Sequence, residues 1–254
     1  EKIRRSNQDL EQFAFIASHD LQEPLRKIVM FGNSLRNQIH GKVDDTAENH
    51  LARMQNAAER MQTMINGLLE LSRINSRGGN FSQINLNRVV GDAVSDLEAR
   101  IRIAGAQVII GDLPSVEADE MQMRLLFQNL IGNAVKFRKP DAQPVVTVSA
   151  KADHHSGRPQ QIEIKVEDNG IGFQQEHTER IFQPFQRLHG RSAYEGSGLG
   201  LAICRKIVER HHGTITAHSL PGRGSTFVIS LPVTQAASDM SAARGYTNTS
   251  REPE

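Results

Sequence analysis

Apolar or small residues recur at Leu10, Ala14, Ala17, Leu21, Pro24, Ile28, Phe31 and Leu35, in steps that alternate between four and three. This is the rhythm of a coiled-coil seam. After the turn-rich stretch at residues 41–46, with Asp45 or Thr46 placed to cap, the rhythm returns at Leu51, Met54, Ala58, Met61, Ile65 and Leu68. Residues 1–75 are therefore predicted to form an antiparallel helical hairpin, each helix about 40–55 Å long at ~1.5 Å per residue. Two such helices do not cover each other's flanking apolar positions Phe13, Ile16, Leu25, Met64 and Leu71. Pairing of two hairpins into a dimeric four-helix bundle does, with Met54, Met61 and Met64 as core filling.

The segment at residues 76–83 breaks both periodicities with two glycines and polar side chains, and reads as a linker or hinge. A second domain, residues 84–233, follows it. Helix-like stretches at 87–103, 118–138 and 198–212 are interleaved with strand-like runs near 108, at 145–150, 162–168, near 214 and near 225. Two of these strand pairs flank short turns, so helices and strands do not alternate strictly. The prediction is an α/β sandwich of the α+β kind. Residues 234–254 hold almost no large apolar side chain and read as a disordered tail or a linker.

Composition narrows the partners. Of 254 residues, 30 are Lys or Arg and 29 Asp or Glu, for a net charge of +1 spread along the chain, so nucleic acid is not an expected partner. The mean hydropathy of −0.45 goes with the absence of any apolar run near the ~20 residues of a bilayer span, so no direct membrane contact is expected. The lone Cys204 has no disulfide or zinc partner and suits a reducing, cytoplasmic setting. The chain starts at Glu1 rather than Met and is read as a piece of a longer protein.

Several segments carry chemistry. His19 follows the seam residue Ala17 by two positions, about 200° round a helix, and should face solvent. A neutral imidazole there is a competent nucleophile, and the adjacent Asp20 can accept its Nδ1 proton. Pro24 removes the amide that would bond the carbonyl of Asp20, which loosens the helix beside the histidine. Further on, Asn129 and Asn133 share a helix face with Lys136, a donor set able to hold Mg²⁺ together with phosphate oxygens. Asp168 ends a strand-like run before Gly170 and Gly172; its carboxylate can accept from an exocyclic amine while the glycines let backbone approach a flat ligand. Gly196, Gly198 and Gly200 open a helix whose free amides favour a polyphosphate. No G-x-x-x-x-G-K-[ST] is present. Between the glycine segments, Phe182 and Phe185 would anchor a mobile lid that carries Arg187 toward a γ-phosphate. His154 and His155 read as turn residues, His211 and His212 as a frayed helix end capped by Gly213, and Cys204 as buried packing.

Taken in order, SHDLQEPL, QNLIGNAVKF, DNGIG, IFQPF and GSGLGLAI resemble the H, N, first G, F and second G boxes of the transmitter core of sensor histidine kinases, over roughly residues 10–232. The first of these is similar to variants in phytochrome-like and PAS-linked members. The resemblance implies an ATP-binding domain of the Bergerat type behind a dimerisation and phosphotransfer hairpin. It implies that His19 is the phosphoacceptor and Asp20 its activating base, that Asn133 ligates Mg²⁺ with Asn129 in support, and that Lys136 contacts phosphate while Phe137 packs on adenine. Asp168 would bind the adenine amino group, Gly170 and Gly172 would shape the base pocket, and Gly196, Gly198, Leu199 and Gly200 would clasp the phosphates of ATP, with Arg187 as the lid arginine. A homodimer, an upstream sensor domain and a response-regulator receiver are the implied partners. Many members carry Thr or Asn four residues after the histidine; this chain has Glu23, so weak phosphatase activity toward the receiver is expected.

Overall fold

In a computed structural model of the chain, residues 2–39, 42–76, 81–155, 158–188, 194 and 196–235 are described, with side chains from residue 21 onward except 75–76 and 152–160. Helix α1, Lys2–Ile39, runs uninterrupted through Pro24 and turns back into α2, Asp45–Ser76. The cap of α2 is Asp44, one residue before the expected position: its carboxylate accepts the amide of Ala47 at 2.8 Å and its carbonyl that of Glu48. With acidic Asp45 and Glu48 in the first turn, the helix start is doubly favoured.

The apolar faces of the hairpin are used differently from the expectation. Leu25, expected to remain uncovered, is buried within the single hairpin together with Leu51, Ala58 and Leu69. The seam residues Leu21, Ile28, Phe31 and Leu35 are instead exposed, as are Met54 and Met61. The reason is a helix-wide apolar band broader than one contact stripe: one edge closes the hairpin and the other stays exposed. Two polar bridges set the register, Gln22 Nε2 to Asn66 Oδ1 and Gln55 Nε2 to Asn33 Oδ1, each 2.8 Å.

Beyond the hairpin come β1 (Ser82–Asn85), α3 (Leu86–Asp96), α4 (Glu98–Ala104), β2 (Gln107–Ile110), β3 (Ser115–Ala118) and α5 (Glu120–Lys136). The chain continues through β4 (Val145–His155), β5 (Arg158–Asp168), a 3₁₀ turn at Gln175–His177, α6 (Thr178–Ile181), α7 (Gly200–Arg210), β6 (Thr214–Leu220) and β7 (Gly224–Pro232). The five-stranded sheet has the order β2-β4-β5-β7-β6, parallel only between β2 and β4, while β1 and β3 form a small antiparallel ribbon. The registers align Val148, Val166, Phe227 and Ala217 in one row across the sheet, all buried, and Ile164, Ile229 and Ile215 in the next. Helices α5 and α7 cover that face, so the domain is an α/β sandwich with one packed layer of helices.

Four other expectations are corrected. The helix expected at 87–103 is two helices that meet at Leu97, whose side chain turns into the core. His154 and His155 belong to β4, because the β4–β5 pairing extends past the apolar core with a register shift at Asp153 and His154. His211 is not frayed: it is fully buried, and it is His212, at φ 57°, rather than Gly213 that takes the left-handed conformation. Gln235, in the expected tail, is fastened to β3 through Glu117; residues 236–254 lie outside the described residues. Cys204 is buried as packing, and that burial pushes its thiol pKa up.

Candidate functional site

Helix α5 creates two faces by its period. Met123, Leu126, Phe127, Leu130, Ile131 and Ala134 go into the core, which leaves Asn129, Asn133 and Lys136 on the other side. The helix is held at its start by the Asp119 carboxylate, which accepts the amide of Gln122. Its C-terminal end is where the first glycine turn docks, since the amide of Ile171 donates to the carbonyl of Phe137 at 2.9 Å.

That turn leaves the end of β5 at Asp168, whose Oδ1 accepts the amides of Gly170 at 2.8 Å and Ser225 at 3.3 Å. Burial raises the Asp168 pKa, and the two amides and nearby Lys139 only oppose this. The turn is wedged so tightly that two positions exclude any side chain. A Cβ on Gly170 would lie 2.4 Å from the carbonyl oxygen of Phe137, and one on Gly172, already at φ 63°, 2.1 Å from that of Leu220. Asn169 braces the same turn by accepting the amide of Val145 and donating to the carbonyl of Gln143, both at 2.9 Å. Ser219 braces it from β6, accepting from Phe173 and donating to Gly224.

The second glycine segment lies across the polar face of α5. A Cβ on Gly196 would come within 2.9 Å of Lys136 Nζ, and one on Gly200 within 2.5 Å of Asn129 Oδ1. Gly198 is at φ 76°, and its carbonyl accepts the amide of Phe185 at 3.0 Å. Helix α7 begins at once at Gly200, with no side chain capping its first turn and no acidic residue in it. A helix start left in that condition attracts anions.

The segment expected as a lid is fixed at one end by Phe182, buried edge-on against Phe227 and covered by the Arg205 guanidinium 4.5 Å from its ring. Phe185 does not share this role. The residue is 48% exposed, and it holds the segment through its amide instead, at φ 63°. Arg187 donates to the carbonyls of Gly196 and Tyr194, so it ties the lid to the glycine segment. Tyr194, not singled out from the sequence, lies 5.0 Å from the ring of Phe137, with Lys136 Nζ 4.3 Å over the other ring partner. Its signal, one tyrosine in a small polar segment, carries no spacing that marks it. Asn169 and Ser219 were missed likewise, one hidden inside D-N-G and the other an ordinary strand serine.

The structure thus brings Asn129, Asn133, Lys136, Phe137, Asp168, Gly170, Gly172, Arg187, Gly196, Gly198, Leu199 and Gly200 into one region bounded by α5, the β5 turn and the start of α7. His19 and Asp20 lie apart in sequence, in α1, where only the helical backbone is described. The hairpin is nonetheless joined to the second domain. Ile74 near the end of α2 is buried in that domain's core, and its carbonyl accepts Gln122 Nε2 at 3.3 Å and Arg210 Nη1 at 2.8 Å. Close by, His211 accepts the amide of Asp119 at Nε2 and its Nδ1 lies 2.7 Å from the carbonyl of Ile207, which fixes the neutral Nδ1–H tautomer. Burial lowers its pKa, adjacent Arg210 and His212 lower it further, and Asp119 and the Ile207 bond act the other way.

Comparison with known proteins places both parts. Residues 9–77 match the His Kinase A (phospho-acceptor) domain, and residues 118–235 match the family described as histidine kinase-, DNA gyrase B-, and HSP90-like ATPase. The chain is 38% identical over 231 residues to the phytochrome-like protein Cph1 of Synechocystis, covering 91% of this chain and 30% of that protein. It is 29% identical to the methanogenesis regulatory histidine kinase FilI of Methanothrix harundinacea, covering 91% and 25%. The chain thus spans well under half the length of these relatives. Among solved structures, ShkA full-length in complex with AMPPNP shares the fold with a TM-score of 0.64 at 22% identity, over 91% of this chain and 48% of that one. The histidine kinase ThkA in complex with the response regulator TrrA does so with a TM-score of 0.60 at 21% identity, over 92% and 66%. With a phosphoacceptor-type hairpin joined to an ATPase-type sandwich, the chain belongs to the sensor histidine kinases and is their transmitter core.

Proposed function

We propose that this chain binds Mg·ATP in its second domain, transfers the γ-phosphoryl group to His19, and passes it to an aspartate of a response-regulator receiver. The observation that carries the reading is the pair of glycine cradles closed on the polar face of α5, where Cβ atoms would strike Lys136, Asn129 and Phe137. These positions keep backbone and donor groups close together, and the donor set suits a nucleotide: a half-buried carboxylate, two amide side chains, an ammonium and a helix start with no side-chain cap. Among the described residues no cluster of three His, Cys, Asp or Glu forms. A divalent cation would therefore rest on Asn133, with Asn129 in support, and on phosphate oxygens, as Mg²⁺ accepts.

In this mechanism Asp168 accepts from the adenine amino group, and Phe137 packs against the base. Lys136, Arg187 and the amides of Gly196, Gly198, Leu199 and Gly200 hold the phosphates and offset their charge. When bound, Mg·ATP supplies the phosphoryl group and part of the charge neutralisation. Asp20 accepts the Nδ1 proton of His19 as the Nε2 lone pair forms the N–P bond and the bond to the leaving ADP breaks.

The exposed Leu21, Ile28, Phe31, Leu35, Met54 and Met61 support a homodimer through the hairpin, as the phosphoacceptor family implies. A receiver that brings its aspartate to His19 must lie against the adjoining groove, about 780 Å³, lined by Gln22, Glu23, Arg26, Gln62, Thr63 and Asn66. There Glu23 pairs with Lys27 at 2.8 Å, a carboxylate poorly suited to orient a water for dephosphorylation, in line with weak phosphatase activity. The relatives extend well beyond the matched region, which supports a further domain in the full-length protein; that domain is proposed to be an upstream sensor. No helix among the described residues is long and apolar enough to cross a membrane, which accords with action in the cytoplasm. The test is incubation of the chain with γ-labelled ATP and Mg²⁺. Acid-labile, alkali-stable protein phosphate is expected; steady ADP release without label would point to an ATPase, and ATP binding without either to a scaffold.

A further inference from the structure

Gly67 sits in the middle of α2, a place where glycine costs about 1 kcal/mol relative to alanine. The hairpin supplies none of the three atoms nearest to a Cβ placed there. A Cβ at this position would instead meet Leu199 of the second domain, lying 2.7 Å from its Cδ1 and 3.3 Å from its Cβ. Leu199 is fully buried and immediately precedes α7. It belongs to the segment whose glycines close on Asn129 and Lys136. The phosphate-binding loop therefore rests with a leucine in a notch of the hairpin.

The height of that notch follows from the register of the hairpin. Gln22 meets Asn66 and Asn33 meets Gln55, so the two helices run in one antiparallel register. Three residues back from Gln22 is His19, and three on from Asn66 is Leu69, so Gly67 lies within one helical turn of the level of His19. Glu70, three residues beyond Gly67, shares its helix face. It faces the second domain across a cleft of about 340 Å³ that Leu97, Arg100 and Asn129 line from the other side.

We propose that Gly67 is a positioning residue for phosphoryl transfer: by leaving room for Leu199 it seats the second glycine segment on α2 at the level of His19. The inference rests on the histidine kinase reading above. Transfer needs donor and acceptor atoms placed within a fraction of an ångström, and displacements near 1 Å can cost about a hundredfold in rate. A methyl group at Gly67 pushes Leu199 outward and carries the phosphate loop with it. The Ile74 carbonyl already ties the end of α2 to Gln122 and Arg210, so this seat adds a second point of attachment.

The test compares wild type, Gly67→Ala, Leu199→Val and the double variant as intact dimers, with single-turnover labelling of His19 at saturating ATP and ADP affinity by calorimetry. Gly67→Ala is expected to slow labelling at least tenfold, to leave ADP affinity within twofold and to keep or raise the melting temperature. Leu199→Val, which removes the colliding atom, is expected to recover at least threefold in the double variant relative to Gly67→Ala. An unchanged or faster rate in Gly67→Ala, a loss matched by ADP affinity, or no recovery in the double variant would overturn the inference. A wild type that takes no label removes the kinase reading as well, whereas equal labelling of wild type and Gly67→Ala removes only the inference.

Discussion

Asp168 is half-buried and His211 fully buried, and burial moves the two in opposite directions with opposite consequences. At Asp168 it raises the pKa, so the ionised acceptor is lost on acidification earlier than for an exposed aspartate. ATP affinity should fall as pH drops through that raised value. Asp168→Asn should weaken ATP at least tenfold, near the 1.5–3 kcal/mol of a charged hydrogen bond, and flatten the pH profile, both measurable by calorimetry. At His211 burial lowers the pKa, so the unfolded chain binds the proton at a higher pH than the folded one. The stability this histidine contributes is complete above its unfolded value of about 6.5 and is lost as pH falls through and below it. His211→Phe leaves the amide of Asp119 without its ring acceptor and takes the ring donor from the Ile207 carbonyl, which keeps the backbone amide of residue 211, a loss of about 1–3 kcal/mol at pH 7.5. Urea midpoints between pH 7.5 and 5.5 should therefore converge for wild type and variant. The motif histidine His19 was singled out by its neighbours in sequence; the structural role of His211 could not be read that way, because its partners lie 92 residues away and four residues back.

At the scale of elements, the glycines separate by what surrounds them. Gly172 and Gly105 have nearly the same left-handed φ, 63° and 62°, but a Cβ on Gly172 would collide with backbone while one on Gly105 meets nothing within 4 Å. Gly105→Ala should cost about 1 kcal/mol, the strain of the conformation alone, and Gly172→Ala at least about 3 kcal/mol, since the Leu220 carbonyl cannot yield as a side chain can. Urea unfolding of the two variants checks the difference. The long helices and the apolar strands could be read from periodicity because their cores are regular. The ribbon of β1 and β3 could not, since four-residue strands with one or two buried residues each, such as Ile84 and Val116, leave no lasting alternation. The outer part of β4 and β5 escaped for a related reason: its pairing continues beyond the apolar runs and shifts register at Asp153 and His154. The cap at Asp44 rather than Asp45 or Thr46 shows that three adjacent capping residues are settled by which carboxylate reaches the third amide.

At the scale of the whole molecule, the hairpin leaves an apolar face that one chain does not cover, and the second domain is tied to α2 at Ile74 and touches it at Gly67. Ile28→Glu with Phe31→Glu removes four apolar side chains from a two-fold interface, each worth about 1.5–3 kcal/mol. Sedimentation should show dimer affinity reduced by on the order of a thousandfold or more. Sequence rhythm revealed that such a face exists but assigned Leu25 to the wrong edge of it, because a wide band of apolar positions does not say which stripe meets the partner helix and which the partner chain. The glycines of the expected linker lie outside the described residues, and the bonds from Gln122 and Arg210 to the Ile74 carbonyl, which join polar groups far apart in sequence, left no signal in it. The central claim is that phosphate from ATP comes to rest on His19. The most direct measurement is γ-labelled ATP given to wild type and His19→Gln, with acid and alkali stability of the label followed in both. Acid-labile, alkali-stable label on wild type and none on His19→Gln is the predicted result; equal labelling of the two would contradict the account.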